Sequence, residues 1–205
     1  NMLPLAAFLG ALIAVTVAYL IARNSSELPL TTLILAGVSI ATLTSAITSL
    51  IMIRSDPDLR PVLSWLLGGL ASTQWKHNLI LFPYFIASVG FIVLYGRILN
   101  ILQLDEEHAA QIGVNVERTK VLLLISATLS TAVAVSYCGI IGFVGLISPH
   151  IVRLIWGGDY RFLLPMSVII GAGFLIISDL VARTIVSPGE LPVGVVTAFF
   201  GAPFL

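Results

Sequence analysis

The residues of this chain that could do chemistry lie mainly in its second half, inside otherwise apolar sequence. Residues 139–150 read GIIGFVGLISPH, so three glycines at three-residue spacing precede a proline and His150. Further along, Asp179 and Arg183 stand four residues apart. An imidazole can relay protons or bind a metal, and charged groups within apolar segments are candidates for ion pathways or docking surfaces.

Each polar feature also has a purely structural explanation. No second histidine, aspartate or glutamate stands at ligand spacing from His150, which favours a structural or docking histidine over a metal ligand or a catalytic group. Asp179 precedes Arg183 in the order that is favourable on a helix, and both a self-neutralising pair and a functional pair would have that order.

The glycine run predicts a helix that packs closely and bends. No strand precedes the run, so helix packing is favoured over nucleotide binding. Gly139, Gly142 and Gly145 would let a neighbouring backbone approach, and Pro149 would interrupt the helical hydrogen bonds.

Composition places the chain in a membrane. Of its 205 residues 58% are hydrophobic and 10% are charged, whereas a soluble domain carries about 25% charged residues. Ten basic residues balance ten acidic ones, so nucleic acid is not an expected partner. The single cysteine, Cys138, excludes an internal disulfide and a cysteine metal cluster. Phosphate-loop, His-Glu-x-x-His and Gly-x-Ser-x-Gly motifs are absent, so we expect no catalytic residue, metal or cofactor on this chain.

Seven apolar segments predict an all-α, polytopic transmembrane bundle in a single domain over 1–205. A spanning helix needs about 20 residues. The segments are 2–22, 30–53, 78–96, 120–137, 140–156, 164–185 and 190–205. The apolar stretch within 62–70 is too short to span and predicts an interfacial helix. Because both ends of the sequence are apolar, we expect a truncated piece of a longer membrane protein.

The most polar stretch, residues 103–119, predicts two short helices outside the bilayer. Asp105 can cap the first, with Glu106 and Glu107 in its first turn, and Gly113 can end it in a left-handed conformation. Asn115 can cap the second. Six Lys and Arg residues on this side of the predicted bundle, against four on the other, favour a cytoplasmic location.

Several motifs, in order along the whole chain, resemble one family of membrane transporters. They are Leu35 to Val38, Trp65 to Gly69, Leu104 to Val114, Gly142 to Arg153, Gly158 to Pro165, Asp179 to Thr184, Glu190 to Gly194 and Gly201 to Phe204. These motifs resemble the FecCD-type permeases of ABC transporters that import iron-siderophores, haem and cobalamin. The resemblance implies ten spanning helices per subunit, of which the seven here would be the last seven, and a homodimer or a pair of homologues.

The resemblance also implies where partners bind. In the family, the segment matching 103–119 is a coupling helix pair that docks on ATPase subunits, which bind ATP and magnesium. Arg183 matches a position that pairs with a periplasmic or lipid-anchored substrate-binding protein. Glu190 places an opposite charge close to it at the same membrane face and would belong to the same docking patch. Thr31 and Thr32 approximately match a cytoplasmic gate. The implied coupling residues are Leu104, Asp105, Glu106, Glu107, Ala109, Ala110, Gly113 and Val114.

The leading hypothesis is therefore a multi-pass permease subunit in the cytoplasmic (inner) membrane of a prokaryote. It would translocate an iron chelate, haem or a cobalamin-like substrate by alternating access, while a partner protein hydrolyses ATP. Two alternatives remain open from the residues alone. One is an ion-coupled secondary transporter that uses Asp179 and Arg183, and the other is an intramembrane enzyme built on His150.

Overall fold

The fold is a bundle of helices, as the apolar segments predict. The computed structural model describes residues 3–23, 30–54, 59–70, 74–186 and 189–204, and all regular structure within these ranges is helical. The helices are α1 (Leu3–Ala22), α2 (Leu30–Arg54), α3 (Leu59–Leu66), α4 (Trp75–Leu94), α5 (Gly96–Leu104), α6 (Glu106–Gln111), α7 (Val116–Cys138), α8 (Val144–Trp156), α9 (Tyr160–Thr184) and α10 (Val193–Gly201), followed by a 3₁₀ turn at Ala202–Phe204.

Five helices in the described ranges are long and apolar enough to cross a membrane. They are α1, α2, α4, α7 and α9. The other two predicted spans are shorter, with 13 residues in α8 and 9 in α10. At a rise of 1.5 Å per residue these two helices are about 20 Å and 14 Å long, less than the roughly 30 Å of a bilayer core.

The prediction of one helix over 140–156 is wrong at its start. Gly139 ends α7 with a φ of 71°, and Phe143, with a φ of 66°, precedes the first residue of α8. Residues 140–143 between them are not helical. Gly139, Gly142 and Gly145 therefore do not form one helix face, because only Gly145 belongs to α8.

The polar segment contains one short helix rather than two. Asp105 Oδ1 accepts a hydrogen bond from the Glu107 N–H at 3.1 Å, and Gly113 has a φ of 91°, as predicted. Asn115 Oδ1 accepts from the Arg118 N–H at 3.0 Å, but the helix that it caps is α7, which continues for 23 residues. The second predicted short helix is thus the first turns of a spanning helix, because no breaker follows Asn115 before Gly139. Leu104 belongs to neither helix, since it is the last residue of α5.

Small residues make the helix contacts, and large apolar side chains face outward. α7 packs against α1 and α4, and α9 packs against α8, α10 and α5. Ser88 of α4 and Ser130 of α7 share a hydrogen bond of 2.6 Å. Buried residues at these contacts include Ala18, Ala132, Ser136, Ser148, Gly171 and Ser178. This arrangement suits a bundle that lipid surrounds, because small side chains let helix backbones approach closely.

Candidate functional site

The predicted ion pair lies at the C-terminal end of α9. Arg183 Nε donates a hydrogen bond to Asp179 Oδ2 at 2.8 Å, and the side chains are 45% and 24% exposed, respectively. Glu190 lines the same cleft, which has a volume of about 80 Å³. Among the described residues, only Nε of the Arg183 guanidinium has a hydrogen-bond partner. The cation therefore keeps donors available for an anionic partner.

Three glycines bring backbones into contact beside this pair. We name Gly68, Gly139 and Gly194 the glycine junction. An added Cβ would overlap the carbonyl oxygen of Ile140 at Gly68, that of Trp65 at Gly139 and that of Leu67 at Gly194. The Gly69 N–H donates to the Cys138 carbonyl at 2.8 Å, which ties the end of α3 to the end of α7.

The other predicted packing residues have different surroundings. At Gly142 and Gly145 an added Cβ would meet no atom of the described chain within 4 Å. Close contacts form instead at Gly171, against Ser148 Oγ at 3.0 Å, and at Gly201, against the Phe143 ring. Pro149 is the sixth residue of α8. A bend of α8 at Pro149 stays a prediction.

At the opposite end of α9, α5 and α6 form a polar segment with exposed apolar residues. Lys120 Nζ pairs with Glu106 Oε2 at 2.6 Å, which holds α6 against the start of α7. Ala109 of α6 is fully buried, and the Val114 N–H donates to its carbonyl at 3.0 Å. Leu104 is 82% exposed, and Glu107, Ala110 and Ile112 are also exposed. The surface of α6 therefore combines acidic and apolar groups.

A cluster that the sequence did not reveal joins α5 to α9. Asn100 Nδ2 donates to Asp159 Oδ1 at 2.6 Å, and Asn100 Oδ1 accepts from the Tyr160 N–H at 2.8 Å. Asp159 also caps α9 by accepting from the Arg161 N–H at 2.9 Å. The Gly-Asp pattern at 158–159 is a recognisable helix cap. Its partner Asn100 gives no local signal, because it lies 59 residues earlier.

These hydrogen bonds favour the ionised form of Asp159. The Asn100 amide, followed by the Arg161 backbone N–H, lowers the pKa of the Asp159 carboxyl. Since folding lowers this pKa, the carboxylate's contribution to stability is present above the ordinary aspartate pKa and is lost as pH falls through the lowered value. At neutral pH the group is a charged acceptor.

The gate candidates lie on a helix rather than in a connection. Thr31 and Thr32 are exposed in the first turn of α2, and residues 24–29 lie outside the described ranges. With 3.6 residues per turn they begin a stripe along one face of α2, which continues through Ser39, Thr42, Ser45 and Ser49. The hydroxyls of Ser39, Thr42 and Ser49 donate to carbonyls of α2 itself. The stripe is polar and exposed, and these three of its six hydroxyls are satisfied within the helix.

His150 lies in a groove of about 340 Å³ that Arg153, Gly201 and Phe204 also line. Its ring makes an edge-on contact with Phe204 at 6.1 Å between centroids. Across the described ranges no group of three or more His, Cys, Asp or Glu side chains could hold a metal. Nothing around His150 therefore favours the intramembrane-enzyme alternative.

The described fold is that of a polytopic helical membrane protein with distinct polar surfaces at its two ends. Residues 1–205 match the family model described as the FecCD transport family, and the chain belongs to this family. The resemblance drawn from the motifs is confirmed.

Relatives named as permeases match nearly the whole chain. It is 45% identical to the cobalamin import system permease protein BtuC of Halobacterium salinarum, over 97% of this chain and 53% of that protein. It is 37% identical to the hemin transport system permease protein HmuU of Yersinia pestis, over 97% of this chain and 59% of that protein. It is 36% identical to the Fe(3+) dicitrate transport system permease protein FecD of Escherichia coli, over 98% of this chain and 63% of that protein. The chain thus spans little more than half the length of these relatives.

The fold also matches a solved chain of an ABC transporter described as metal-chelate type, in an inward-facing conformation. The TM-score is 0.87 at 31% identity, over 98% of this chain and 68% of that chain.

Proposed function

We propose that the chain forms most of the transmembrane permease subunit of a binding-protein-dependent ABC importer. The observation that carries the proposal is that α9 joins two different polar surfaces, one at Arg183 and one at α5 and α6. A subunit that passes a substrate from a binding protein on one side to an ATPase-driven cycle on the other needs both surfaces. Family membership and the names of the relatives support the same role.

The substrate class follows from the same relatives. Their names cover cobalamin, hemin and iron(III) dicitrate, which are all metal chelates too large for a narrow pore. The α2 stripe, from Thr31 to Ser49, is suited to line a path for such a substrate. The hydroxyls of Ser39, Thr42 and Ser49 donate to carbonyls within α2, so this part of the stripe presents a polar surface without a strong ligand. Thr31 and Thr32 would stand at the cytoplasmic end of that path as a gate.

The surface of α6 is proposed to dock on a separate ATPase subunit. Leu104 and Ile112 offer exposed apolar contacts, while Glu106 and Glu107 offer charge. ATP and magnesium would bind to that partner. A second permease copy or a homologue would complete the path, and alternating access would move the substrate through the inner membrane.

The ion-coupled alternative has less support. Asp179 is already paired with Arg183 at 2.8 Å, so a transported cation would have to displace the guanidinium. The salt bridge to Asp179 is better suited to orient the Arg183 side chain toward a partner protein than to bind a transported cation.

The experiment that tests the proposal measures substrate uptake by the full-length permease in proteoliposomes with its ATPase and binding protein. Uptake should require ATP on the side of the membrane that carries the ATPase. A hydrolysis-deficient ATPase should abolish uptake. Uptake that continues with the deficient ATPase, or that follows an imposed ion gradient instead, would contradict an ABC importer.

Charge reversal on α6 should weaken ATPase binding. Glu107 has no ion pair with any described residue, so a change in affinity in Glu107→Lys reports on the partner. We expect the Kd for the ATPase to rise about three- to tenfold, because exposed charge pairs contribute roughly 0.2–1 kcal/mol and reversal adds repulsion. Surface plasmon resonance on the detergent-solubilised permease would measure it.

Glu106→Gln serves as the control for this measurement. It removes the pair with Lys120 and one docking charge without adding a cation, so a larger loss of affinity in Glu107→Lys reports on repulsion at the interface. An unchanged Kd in Glu107→Lys would argue against docking through this face.

A further inference from the structure

The contact between α5 and α9 is built along one face of a short helix. Gly96, Asn100 and Gln103 stand at i, i+4 and i+7 of α5, so they share that face. An added Cβ at Gly96 would stand 3.4 Å from the Tyr160 carbonyl oxygen, and one at Gly158 would stand 4.0 Å from Gln103 Nε2. Between them Asn100 bonds to Asp159 and Tyr160. The whole face therefore rests on the first residues of α9.

The hydrogen bonds fix the Asn100 amide in one orientation. A backbone N–H can only donate, so the oxygen of Asn100 must face Tyr160. The ionised Asp159 carboxylate can only accept, so the amide nitrogen must face Asp159. A bond to a charged acceptor is among the stronger hydrogen bonds in proteins. Asn100 thus acts as part of the N-terminal cap of α9.

The position of this contact matters for movement. α5 leads directly into α6, with Asp105 as both the C-cap of the first and the N-cap of the second. α9 has 25 residues, or about 37 Å of helix, and carries Asp179 and Arg183 near its far end. A displacement of α6 that moves α5 would therefore act on the base of a long helix, below Pro165 in its second turn.

We propose that Asn100 and Asp159 are positioning residues that transmit movement of α6 to α9, and so couple the ATPase surface to the Arg183 surface. The inference rests on the proposed function and adds to it a specific connection between the two sites. Lys120 and Glu106 also hold α6 to α7, whose far end reaches the glycine junction beside Arg183, so α7 offers a second route. The α5–α9 contact is the route that acts on α9 itself.

The test compares Asn100→Asp with the exchanged pair Asn100→Asp/Asp159→Asn. The single variant removes the amide donor and sets two carboxylates against each other. In the double variant the carboxylate at position 100 accepts from the Tyr160 N–H and from the amide at position 159. That amide's oxygen can still cap the Arg161 N–H, because asparagine is a good N-cap. Asp159 Oδ1 accepts from both the Asn100 amide and the Arg161 N–H, so in the double variant the side chain at position 159 must turn to aim its amide nitrogen at position 100 while its oxygen keeps the cap. With that turn, every donor of the contact has an acceptor again.

The readout is the coupling of ATP hydrolysis to transport in the full-length complex with its ATPase and binding protein. We expect Asn100→Asp to lower substrate moved per ATP at least fivefold, and to remove stimulation of ATPase activity by the loaded binding protein. ATPase co-purification and binding-protein affinity should stay within twofold of the unaltered complex. The double variant should regain most of the coupling. Gln103→Glu is the matched control, since it adds the same charge one turn later on the same face, where the side chain makes no hydrogen bond to any residue that the structure describes.

Three results would overturn the inference. They are normal coupling in Asn100→Asp, a coupling loss that the exchanged pair does not restore, and an equal loss in Gln103→Glu. If Asn100→Asp does not fold, Asn100→Ala in the same assay should show the same loss of coupling, and normal coupling there would also reject the inference. An unaltered complex in which substrate moves without ATP would instead refute the proposed function itself, so the two failures are distinguishable.

Discussion

Gly194→Ala is expected to destabilise the bundle strongly, although it adds a single methyl group. The Cβ would overlap the carbonyl oxygen of Leu67 and approach that of Ile140 at 3.0 Å. Both obstacles are backbone atoms, so no side chain can rotate away to make room. Overpacking of this kind lowers the free energy of unfolding by about 1–3 kcal/mol. We expect a loss near the upper end of that range, because the backbone cannot move aside. Relief would require α10 to move away from α3.

The measurement is reversible unfolding of the full-length protein in mixed micelles, followed by the loss of helical circular dichroism. Gly173→Ala in α9 is the matched control, because an added Cβ there meets no atom of the described chain within 4 Å. Alanine is also a better helix former than glycine, by about 1 kcal/mol in water, so helix propensity does not oppose the control substitution. Equal stability of the two variants would show that α3 and α10 do not meet as closely as the glycine junction requires.

Arg183→Glu is expected to weaken binding of the substrate-binding protein at least tenfold. The change removes the cation that we propose faces the partner, and it places a second carboxylate one helical turn from Asp179. A tenfold change corresponds to about 1.4 kcal/mol, well within the range for a charge that docks against an opposite charge. Because such charges steer encounter, most of the loss should be in the association rate and should shrink at high salt.

Asp179→Asn is the control that separates docking from helix stability. It breaks the same ion pair but leaves the Arg183 cation in place, so binding-protein affinity should be kept or should rise. If both variants lose affinity equally, the pair only stabilises the end of α9. Association rates from stopped-flow fluorescence at two salt concentrations would decide between these outcomes.

Features encoded by neighbouring residues were predictable from the sequence. Asp105, Gly113 and Asn115 cap or end helices as expected, because each acts on backbone groups within three residues of itself. The ion pair of Asp179 and Arg183 follows from helical spacing in the same way. These features fix the two polar ends of the proposed permease.

Features that depend on distant partners were not predictable. The glycine spacing at 139, 142 and 145 suggested one packed helix face. Phe143 divides the run because its backbone is left-handed, and no neighbouring residue in the sequence predicts that conformation. Gly68 and Gly194 gave no signal either, because each is defined by a backbone oxygen from another part of the chain. Asn100 is the same case: an ordinary polar residue becomes a helix cap only once α9 lies beside it.

The small residues at the helix contacts also bear on how freely this sequence can change. In a soluble protein the large interior side chains are the constrained ones, whereas here the contacts are made by residues such as Ala132, Ser136 and Gly171, which have little room to grow. Many leucines and isoleucines face outward, where one branched chain can replace another at little cost. Positions with large outward-facing side chains should therefore tolerate the most substitutions. Positions with small side chains at the helix contacts should tolerate the fewest.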